Sequence, residues 1–201
     1  MTAATDGRDE RVGAIVEEIV SACRSMEGLP YDGEPVDQLQ HALQCAALGA
    51  AQAPDDAEFV VACLLHDIAR APAVAGIPYD GPREHHGQAA ARWLTPRVGA
   101  RVAWLAEQHV PAKRYLVATD AAYRGRLSPV SERTLIAQGG PMSPEEVAVF
   151  RTHPDAALAV SLRLIDDRGK QAGLQVPGLE AHRPRLTQVV AAQAPRSQER
   201  W

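Results

Sequence analysis

Apolar residues recur along most of the chain at the spacing of α-helices that bury one face. Near the N-terminus, five aliphatic residues are separated alternately by three positions and by one position, and acidic residues lie among them. These residues are Val12, Ile15, Val16, Ile19 and Val20. Their period predicts an amphipathic helix over residues 8–26, which the turn at Gly28-Leu29-Pro30 ends.

The same period, together with helix caps and breakers, predicts a succession of helices and no strand. Ser143 is a good N-cap, followed by Pro144 at the first helical position and Glu146 at the third. Asp55 or Asp56 is available as the cap of an earlier helix. The later predicted helices cover residues 36–53, 55–70, 84–94, 96–109, 111–123 and 127–138, then one that starts at Ser143, and finally 154–169 and 182–192, and they leave a Pro- and Gly-rich loop at 71–83 and a polar tail at 193–201.

Composition agrees with a helical bundle and narrows the possible functions. The 201 residues are 46% hydrophobic and only 4% aromatic, and Ala, Leu and Val are abundant, which favours helices packed on helices over a β-sandwich. We therefore expect a single all-α domain over residues 1–201 with a sizeable core. The net charge of −4 and the lack of a long basic block argue against nucleic acid as a partner.

The cysteines and the N-terminus indicate the compartment. Cys23, Cys45 and Cys63 are odd in number and show no CxxC spacing, so a disulfide framework is not expected and a reducing interior fits. Residues 1–10 form no apolar signal core, and no apolar run approaches the roughly 18 residues of a membrane span. The sequence therefore predicts a cytoplasmic protein that does not enter the membrane.

A histidine and an aspartate interrupt the apolar run Cys63-Leu64-Leu65-His66-Asp67-Ile68. A packed core has no need for such a pair, whereas imidazole and carboxylate are common metal ligands. Neighbouring residues of a helix point about 100° apart, so His66 and Asp67 suit a position between two ions, with the carboxylate as a bridge, better than one compact site. Taken alone, the pair is better explained as residues that cap or decorate the end of a helix, and only the other histidines favour a metal site.

Further residues complete a set of candidate metal ligands spread over the predicted helices. They are His41, His86, His109 and one member of the pair Asp166-Asp167. Imidazole and carboxylate together suit iron, manganese or zinc, and the lack of a cysteine cluster argues against an iron–sulfur centre or a structural zinc site. The full set exceeds what a single catalytic ion takes from a protein, so two ions would use all of it.

Each of these histidines also has an ordinary interpretation when it is considered by itself. His41 could be hydrogen-bonded within the core, and one of His85 and His86 would be solvated. His109 ends a predicted helix, where a cation is favoured in any case. His153 and His182 lie outside the pattern and are expected to be structural. The joint order of the others along the chain is what favours a metal centre.

That order, His … His-Asp … His … His … Asp over residues 31–170, resembles the HD-domain superfamily. Simple HD phosphohydrolases hold one metal with His … His-Asp … Asp. Two additional histidines mark the branch of mixed-valent diiron oxygenases, which includes myo-inositol oxygenase and phosphonate-cleaving enzymes. Within this branch the chain is more similar to the phosphonate-cleaving enzymes.

Shorter motifs carry the resemblance to the phosphonate-cleaving branch. The segment Tyr31-Asp32-Gly33-Glu34-Pro35-Val36 is similar to a substrate-gating loop, in which the tyrosine occupies an iron position before substrate arrives and the glutamate contacts substrate. The motifs that follow are in the family's order as well. They are Lys113, Leu127-Ser128, Ser131 and the turn Gln138-Gly139-Gly140-Pro141-Met142.

The resemblance implies two iron ions, Fe(II) and Fe(III), with O2 as co-substrate, in a single HD-type helical bundle. The core of this domain would span about residues 31–170, with the first and last helices packed on it. Asp166 rather than Asp167 is expected as the last ligand, because it stands four residues before Lys170 and shares a helical face with Arg163. The implied ligands are His41, His66, Asp67, His86, His109 and Asp166.

The implied reaction is O2-dependent cleavage of the carbon–phosphorus bond of a 1-hydroxyphosphonate, such as 2-amino-1-hydroxyethylphosphonate or an N-methylated relative. The products would be a carboxylate and inorganic phosphate. A phosphonate dianion needs cations and hydrogen-bond donors to replace its water shell. The implied catalytic residues are Tyr31, Glu34 and Lys113, and the implied substrate-binding residues are Gln40, Arg70, Lys113, Ser131 and Arg163.

One departure from the family leaves the substrate open. Arg70 stands where the family often has a histidine. The loop after it, with Tyr79, Asp80 and Glu84, could bind the amine end of a substrate. Three alternatives remain: a metal-dependent phosphohydrolase that works without oxygen, a diiron oxygenase acting on a different hydroxylated substrate, and a non-catalytic HD module. The oligomeric state is not indicated.

Overall fold

A computed structural model describes residues 2–31, 33–76 and 85–193, with side chains from residue 7 onward. Ten α-helices and three single turns of 3-10 helix make up this part of the chain, and it contains no strand beyond one isolated bridge between Pro30 and Asp37. The predicted all-α fold is therefore confirmed. The helices are α1 (Thr2–Arg24), α2 (Gln38–Gln52), α3 (Ala57–Leu65), α4 (Pro72–Ala75), α5 (His86–Val98), α6 (Ala100–Thr119), α7 (Pro129–Ala137), α8 (Pro144–Arg151), α9 (Ala156–Arg168) and α10 (Arg183–Gln193).

Helix α6 lies at the centre of the bundle and packs against α3, α5 and α9. Helix α2 packs on α3 and α9, while α10 covers α1, α3 and α5. Each fully buried aliphatic side chain in this core stabilises the fold by about 1.5–3 kcal/mol. Core residues from these helices include Val16, Ile19, Leu64, Leu105, Leu162 and Val189.

The helix starts follow the predicted caps. Asp56 caps α3 through a hydrogen bond from the Phe59 amide. Ser143 and Glu146 close a capping box at the start of α8, with Pro144 in the first turn. Both predicted helix caps are therefore confirmed. None of the helices in the described ranges combines the length and apolarity needed to span a bilayer.

Helix α6 runs without a break through Pro111, whereas the sequence predicted two helices, 96–109 and 111–123. Proline has no amide hydrogen, so the carbonyl of Glu107, four residues earlier, loses its helical partner. The backbone of α5 packs directly against this carbonyl, because a Cβ atom at Gly87 would lie 3.0 Å from the Glu107 oxygen. The helix thus continues through Pro111 at the point where α5 packs closely on α6.

The predicted helix over residues 55–70 was too long, because α3 ends at Leu65. His66 still has helical dihedral angles, but Asp67 departs from them with φ −100° and ψ 13°, and a 3-10 turn follows over Ile68–Arg70. This change of direction lets two consecutive side chains face the same point, which a regular helix would not allow. The helix ends where the candidate site begins.

Two other predicted boundaries also shift. Helix α1 begins at Thr2, earlier than the predicted 8–26, and α5 extends through Pro96 to Val98. The Pro- and Gly-rich loop contains the four-residue helix α4. Residues 77–84 of that loop and 194–201 of the predicted polar tail lie outside the described residues.

Candidate metal centre and cavity

The six predicted metal ligands come together at one buried point of the bundle. They arise from α2, the end of α3, the turn after it, α5, α6 and α9, and each is at most 4% exposed. The four histidines form two pairs. In the first pair, His41 Nε2 lies 3.2 Å from His66 Nε2. In the second, His86 Nε2 lies 2.8 Å from His109 Nε2.

Asp67 lies between the two pairs and presents one carboxylate oxygen to each. Its Oδ1 lies 3.2 Å from His86 Nε2 and 3.7 Å from His109 Nε2. Its Oδ2 lies 3.8 Å from His66 Nε2 and 4.0 Å from His41 Nε2. Oδ1 is buried and accepts no hydrogen bond from the described part of the chain. This is the placement expected of a carboxylate that bridges two cations.

Backbone carbonyls fix the orientation of three of the four imidazole rings. A carbonyl can only accept a hydrogen bond, so the Nδ1 atom facing it carries the ring proton, and Nε2 is left with a lone pair. Lone pairs that face each other repel, whereas two nitrogens bound to one ion at about 2.1 Å lie roughly 3 Å apart. The residues therefore fit metal ions. The Nδ1 contacts are His41 to Gly169 O at 2.8 Å, His66 to Cys63 O at 3.0 Å and His109 to Ala106 O at 2.5 Å.

Asp166 completes the first pair, as predicted, and Asp167 does not. Asp166 Oδ1 lies 3.5 Å from His41 Nε2, while Oδ2 accepts a 2.7 Å hydrogen bond from Arg163. Asp167 instead accepts hydrogen bonds from Arg163 and from the Tyr123 hydroxyl. The side chain of Asp166 thus faces the histidines, and that of Asp167 supports Arg163 from the other side.

Protonation states at this point suit metal binding. Burial lowers the pKa of His41 to about 4 and, together with nearby His86, holds the pKa of His109 well below its usual value. Burial alone would raise the pKa of Asp67 and of Asp166, but the adjacent arginines, Arg70 and Arg163 respectively, hold both well below the usual range. Near neutral pH His41 and His109 are neutral and the carboxylates of Asp67 and Asp166 are ionised, as ligands must be.

A cysteine that the sequence did not single out also lies beside the site. The Sγ atom of Cys45 is 3.7 Å from His41 Nε2 and 3.8 Å from His41 Nδ1. Burial raises the pKa of the Cys45 thiol well above its usual value, so the thiol stays protonated. Its position four residues after His41, on the same helical face, is the signal that could have found it.

A cavity of about 450 Å³ opens beside one of the two pairs. His86 and His109 line it, and we call them the cavity-facing pair. His41 and His66 do not line it and are fully buried, and we call them the sealed pair. Asp67 and Asp166 also reach the cavity wall. A molecule in the cavity therefore meets the cavity-facing pair first.

Five of the predicted catalytic or substrate-binding residues line this cavity. The buried amine of Lys113 donates to Thr134 Oγ1 at 2.9 Å and to Ser131 O at 3.3 Å. Burial and the neighbouring Arg163 lower the pKa of Lys113 to about 7. The five predicted residues are Tyr31, Arg70, Lys113, Ser131 and Arg163.

Tyr31 covers the sealed pair from the cavity side. Its ring stacks on that of His41, with centroids 4.2 Å apart and an interplanar angle of 22°. Its hydroxyl donates to Asp166 Oδ1 at 3.3 Å. Burial and the nearby Asp166 raise the pKa of Tyr31 well above its usual value, so the phenol keeps its proton.

Two predicted residues do not reach the cavity. Gln40 is exposed, and its side chain closes the capping box at the start of α2 by accepting from the Asp37 amide. Glu34 is not part of the cavity wall and forms an ion pair with Lys170 at 3.4 Å. The predicted contacts of Tyr79, Asp80 and Glu84 lie outside the described residues.

Two residues that sequence reasoning did not assign belong to the site. Lys170 lines the cavity, and its fixed distance from Asp166 was the available signal. Tyr123 accepts a 3.0 Å hydrogen bond from Arg163 Nε and donates to Asp167 Oδ2 at 2.5 Å. Nothing local in the sequence indicates Tyr123, because its partners lie 40 residues or more further along the chain.

Comparison with known proteins identifies relatives along nearly the whole chain. A [1-hydroxy-2-(trimethylamino)ethyl]phosphonate dioxygenase (glycine-betaine-forming) from Leisingera caerulea is 35% identical over 180 residues, which cover 89% of this chain and 91% of the relative. A hydroxymethylphosphonate dioxygenase from Gimesia maris is 36% identical over 175 residues, 83% of this chain and 85% of the relative. No protein-family model matches the chain. The chain therefore belongs to the family of phosphonate dioxygenases and is an oxygenase.

Proposed function

We propose that this enzyme cleaves the carbon–phosphorus bond of a 1-hydroxyphosphonate with O2 at a centre of two iron ions. In the balanced reaction, R–CH(OH)–PO3H2 and O2 give R–COOH and H3PO4. The carbon is oxidised to a carboxylic acid, and both oxygen atoms of O2 are reduced. One observation carries the proposal: the two oxygens of Asp67 face separate histidine pairs at the floor of a cationic cavity. The names of the two relatives support the reaction class.

The residues divide into two candidate ion positions that share Asp67. His41, His66 and Asp166 belong to one position, and His86 and His109 to the other. Two imidazoles with a carboxylate oxygen and open positions are typical of non-haem iron oxygenases, which supports iron over zinc. When bound, an iron pair supplies the electrons and the open coordination positions that O2 activation requires.

Lys113, Ser131 and Arg163 would bind the phosphonate group. Arg163 is held rigidly, because it donates to Asp166, Asp167 and Tyr123. Ser131 Oγ lies 3.5 Å from Arg163 and faces the same cavity. Lys113 donates as a cation when protonated, and a dianion next to it favours that form. These donors orient the substrate so that the carbon bonded to phosphorus faces the candidate metal centre.

Tyr31 would protect the site until substrate arrives. Its ring covers His41, and its hydroxyl occupies hydrogen-bonding distance of Asp166. A substrate that reaches the sealed pair has to displace this side chain. A substrate that fills the cavity then limits the access of water to the reacting carbon.

The experiment measures phosphate release and O2 consumption by the iron-loaded protein with a panel of 1-hydroxyphosphonates. We expect one O2 consumed for each phosphate and each carboxylate formed, and no turnover under argon or after iron removal. The matched panel contains phosphate monoesters. Oxygen-independent release of phosphate and an alcohol from the esters would instead establish a phosphohydrolase and reject the proposal.

A further inference from the structure

The described wall of the cavity carries far more positive than negative charge. Five cationic side chains line it, and the wall contains two carboxylates, those of Asp67 and Asp166. Both carboxylates already interact with an arginine and with histidines. The five cationic residues are Arg70, Lys113, Arg133, Arg163 and Lys170. The phosphonate of a substrate would use Lys113 and Arg163. Of the other three cations, Arg70 is paired with Asp67 and Lys170 with Glu34.

The aromatic residue of the described cavity wall has little surface left for a ligand cation. Tyr31 is the one aromatic ring other than histidine in that wall. One of its faces stacks on His41, and two protein cations approach the ring. The Arg70 guanidinium lies 5.5 Å from the ring centroid and the Lys170 amine 5.4 Å from it. Recognition of a quaternary ammonium usually needs free aromatic faces, and this ring does not offer them.

The nearby carboxylate that could bind an ammonium is neutralised. Glu34 forms an ion pair with Lys170 at 3.4 Å, and both side chains are largely buried. Glu34 does not form part of the described cavity wall, whereas Lys170 does. Of this ion pair, the Lys170 amine faces the cavity and the Glu34 carboxylate does not.

Arg133 lies at the exposed side of the cavity wall. It forms no ion pair with any described residue, while its neighbour Glu132 is paired with Arg124 at 3.1 Å. A guanidinium with all its donors available is well suited to bind a carboxylate through two hydrogen bonds. Arg133 is exposed, whereas Lys113 and Arg163 are only 2% and 4% exposed, so Arg133 lies nearer the opening of the cavity than the two cations assigned to the phosphonate.

On the basis of the proposed function, we infer that the substrate is a 1-hydroxyphosphonate whose distal substituent is a carboxylate, bound by Arg133, and not a quaternary ammonium. The reaction then converts 3-hydroxy-3-phosphonopropanoate and O2 into malonate and phosphate, with the same balance as above. Arg133 is thereby assigned as a specificity-determining residue of the cavity.

The test compares three substrates with the iron-loaded enzyme by measuring kcat/KM for phosphate release. One is 3-hydroxy-3-phosphonopropanoate. The second carries trimethylammonium in place of the carboxylate, and the third is hydroxymethylphosphonate, which has no distal substituent. We expect kcat/KM for the carboxylate to exceed that for the trimethylammonium compound by at least about tenfold, because opposite charges distinguish the two in a cationic cavity.

Two variants locate the preference at one side chain. Arg133→Gln should lower kcat/KM for the carboxylate about threefold and leave hydroxymethylphosphonate unchanged, since an exposed ion pair contributes modestly. Arg92→Gln is the matched control, because Arg92 is exposed on α5 and does not line the cavity. It should alter none of the three values.

The possible outcomes are distinguishable. A higher kcat/KM for either the trimethylammonium compound or hydroxymethylphosphonate overturns the inference and leaves the proposed function intact. An equal loss for all substrates in Arg133→Gln also overturns it, since Arg133 would then act on the common phosphonate or on the fold. If the enzyme releases phosphate from none of the three substrates, the proposed function and the inference are both rejected.

Discussion

The sealed pair and the cavity-facing pair use the same ligand chemistry in different surroundings. His41 and His66 are fully buried, and two carboxylate oxygens, from Asp67 and Asp166, lie near them. His86 and His109 form part of the cavity wall, and the one carboxylate oxygen near them among the described residues is Oδ1 of Asp67. The first position is enclosed by protein, and the second has room for further ligands from solution.

This difference indicates a division of roles. A position with four protein ligand atoms that is covered by Tyr31 should retain its ion more strongly than a position with three, which leaves coordination sites for a substrate or O2. Under the proposed function, one position around the shared aspartate would mainly retain its ion, and the other would mainly bind the reactants. Three experiments test the distinction.

The largest effect is expected from removing one histidine of each pair. His41→Ala should lose most bound iron, because an ion in the sealed position would also hold Asp67, the carboxylate that both positions share. His109→Ala should keep about one ion per chain. Both variants should lose at least about 100-fold in kcat, the upper range seen when metal-site partners are removed. Iron content measured by elemental analysis and phosphate release by a coupled assay provide the comparison.

His153→Ala is the control, because His153 stacks on Trp104 at a centroid distance of 3.5 Å, away from the cluster. It should keep both ions. Equal iron loss in His41→Ala and His109→Ala would show that the two positions do not differ in retention.

An intermediate effect is expected from pH, which acts on the cavity side. Burial and Arg163 lower the pKa of Lys113 to about 7, so the amine is a cation below this pH and becomes neutral above it. If the cation binds the phosphonate, kcat/KM should fall about tenfold per pH unit above pH 7. A pH profile of the wild-type enzyme measures this directly.

Lys113→Arg sharpens the result, because arginine keeps its charge throughout the accessible range. The decline above pH 7 should disappear in this variant, even if its activity is lower overall. An unchanged decline would assign the titration to another group.

The smallest effect is expected behind the sealed pair. A Cβ atom at Gly169 would lie 2.5 Å from Cys45 Sγ and 3.4 Å from His41 Nδ1, so Gly169→Ala forces the Cys45 side chain to shift beside His41. Overpacking of this kind costs about 1–3 kcal/mol of the free energy of unfolding, and iron affinity should fall several-fold. Thermal or urea denaturation and iron titration measure the two quantities.

Cys45→Ala in the same chain should restore much of the loss, since it removes the atom that clashes. Gly178→Ala is the matched control, because a Cβ atom there meets nothing within 4 Å. A comparable loss in Gly178→Ala would attribute the effect to glycine removal in general.

The helical class and several helix starts could be predicted because their causes are local. The capping box at Ser143 and the cap at Asp56 depend on residues within one turn. The continuity of α6 through Pro111 could not, because local sequence favours a break at proline, and the packing of α5 on α6 near Glu107 is not encoded locally. The predicted helix over residues 55–70 did not show the end of α3 at Leu65, because an apolar run contains no local signal for a turn.

The candidate metal ligands were predicted better than the residues that hold the rest of the site in place. The order of histidines and aspartates along the sequence, together with the family resemblance that selects Asp166 over Asp167, identified six residues that the fold brings together. Gln40 was assigned to the substrate by its position in a motif, whereas its side chain caps α2. The roles of Tyr123 and Lys170 depend on contacts across the bundle, with Arg163 and Glu34 respectively, which no local pattern encodes.

The uninterrupted helix α6 also affects which position of the hydroxyl group in a substrate permits cleavage. His109 and Lys113 are four residues apart on this one helix and both face the cavity, so their separation along the axis is set at about 6 Å by the helical rise. A phosphonate anchored on Lys113 would therefore present the atom directly bonded to phosphorus to the centre. A hydroxyl placed one methylene further away would fall beyond it, and such isomers should bind without being cleaved.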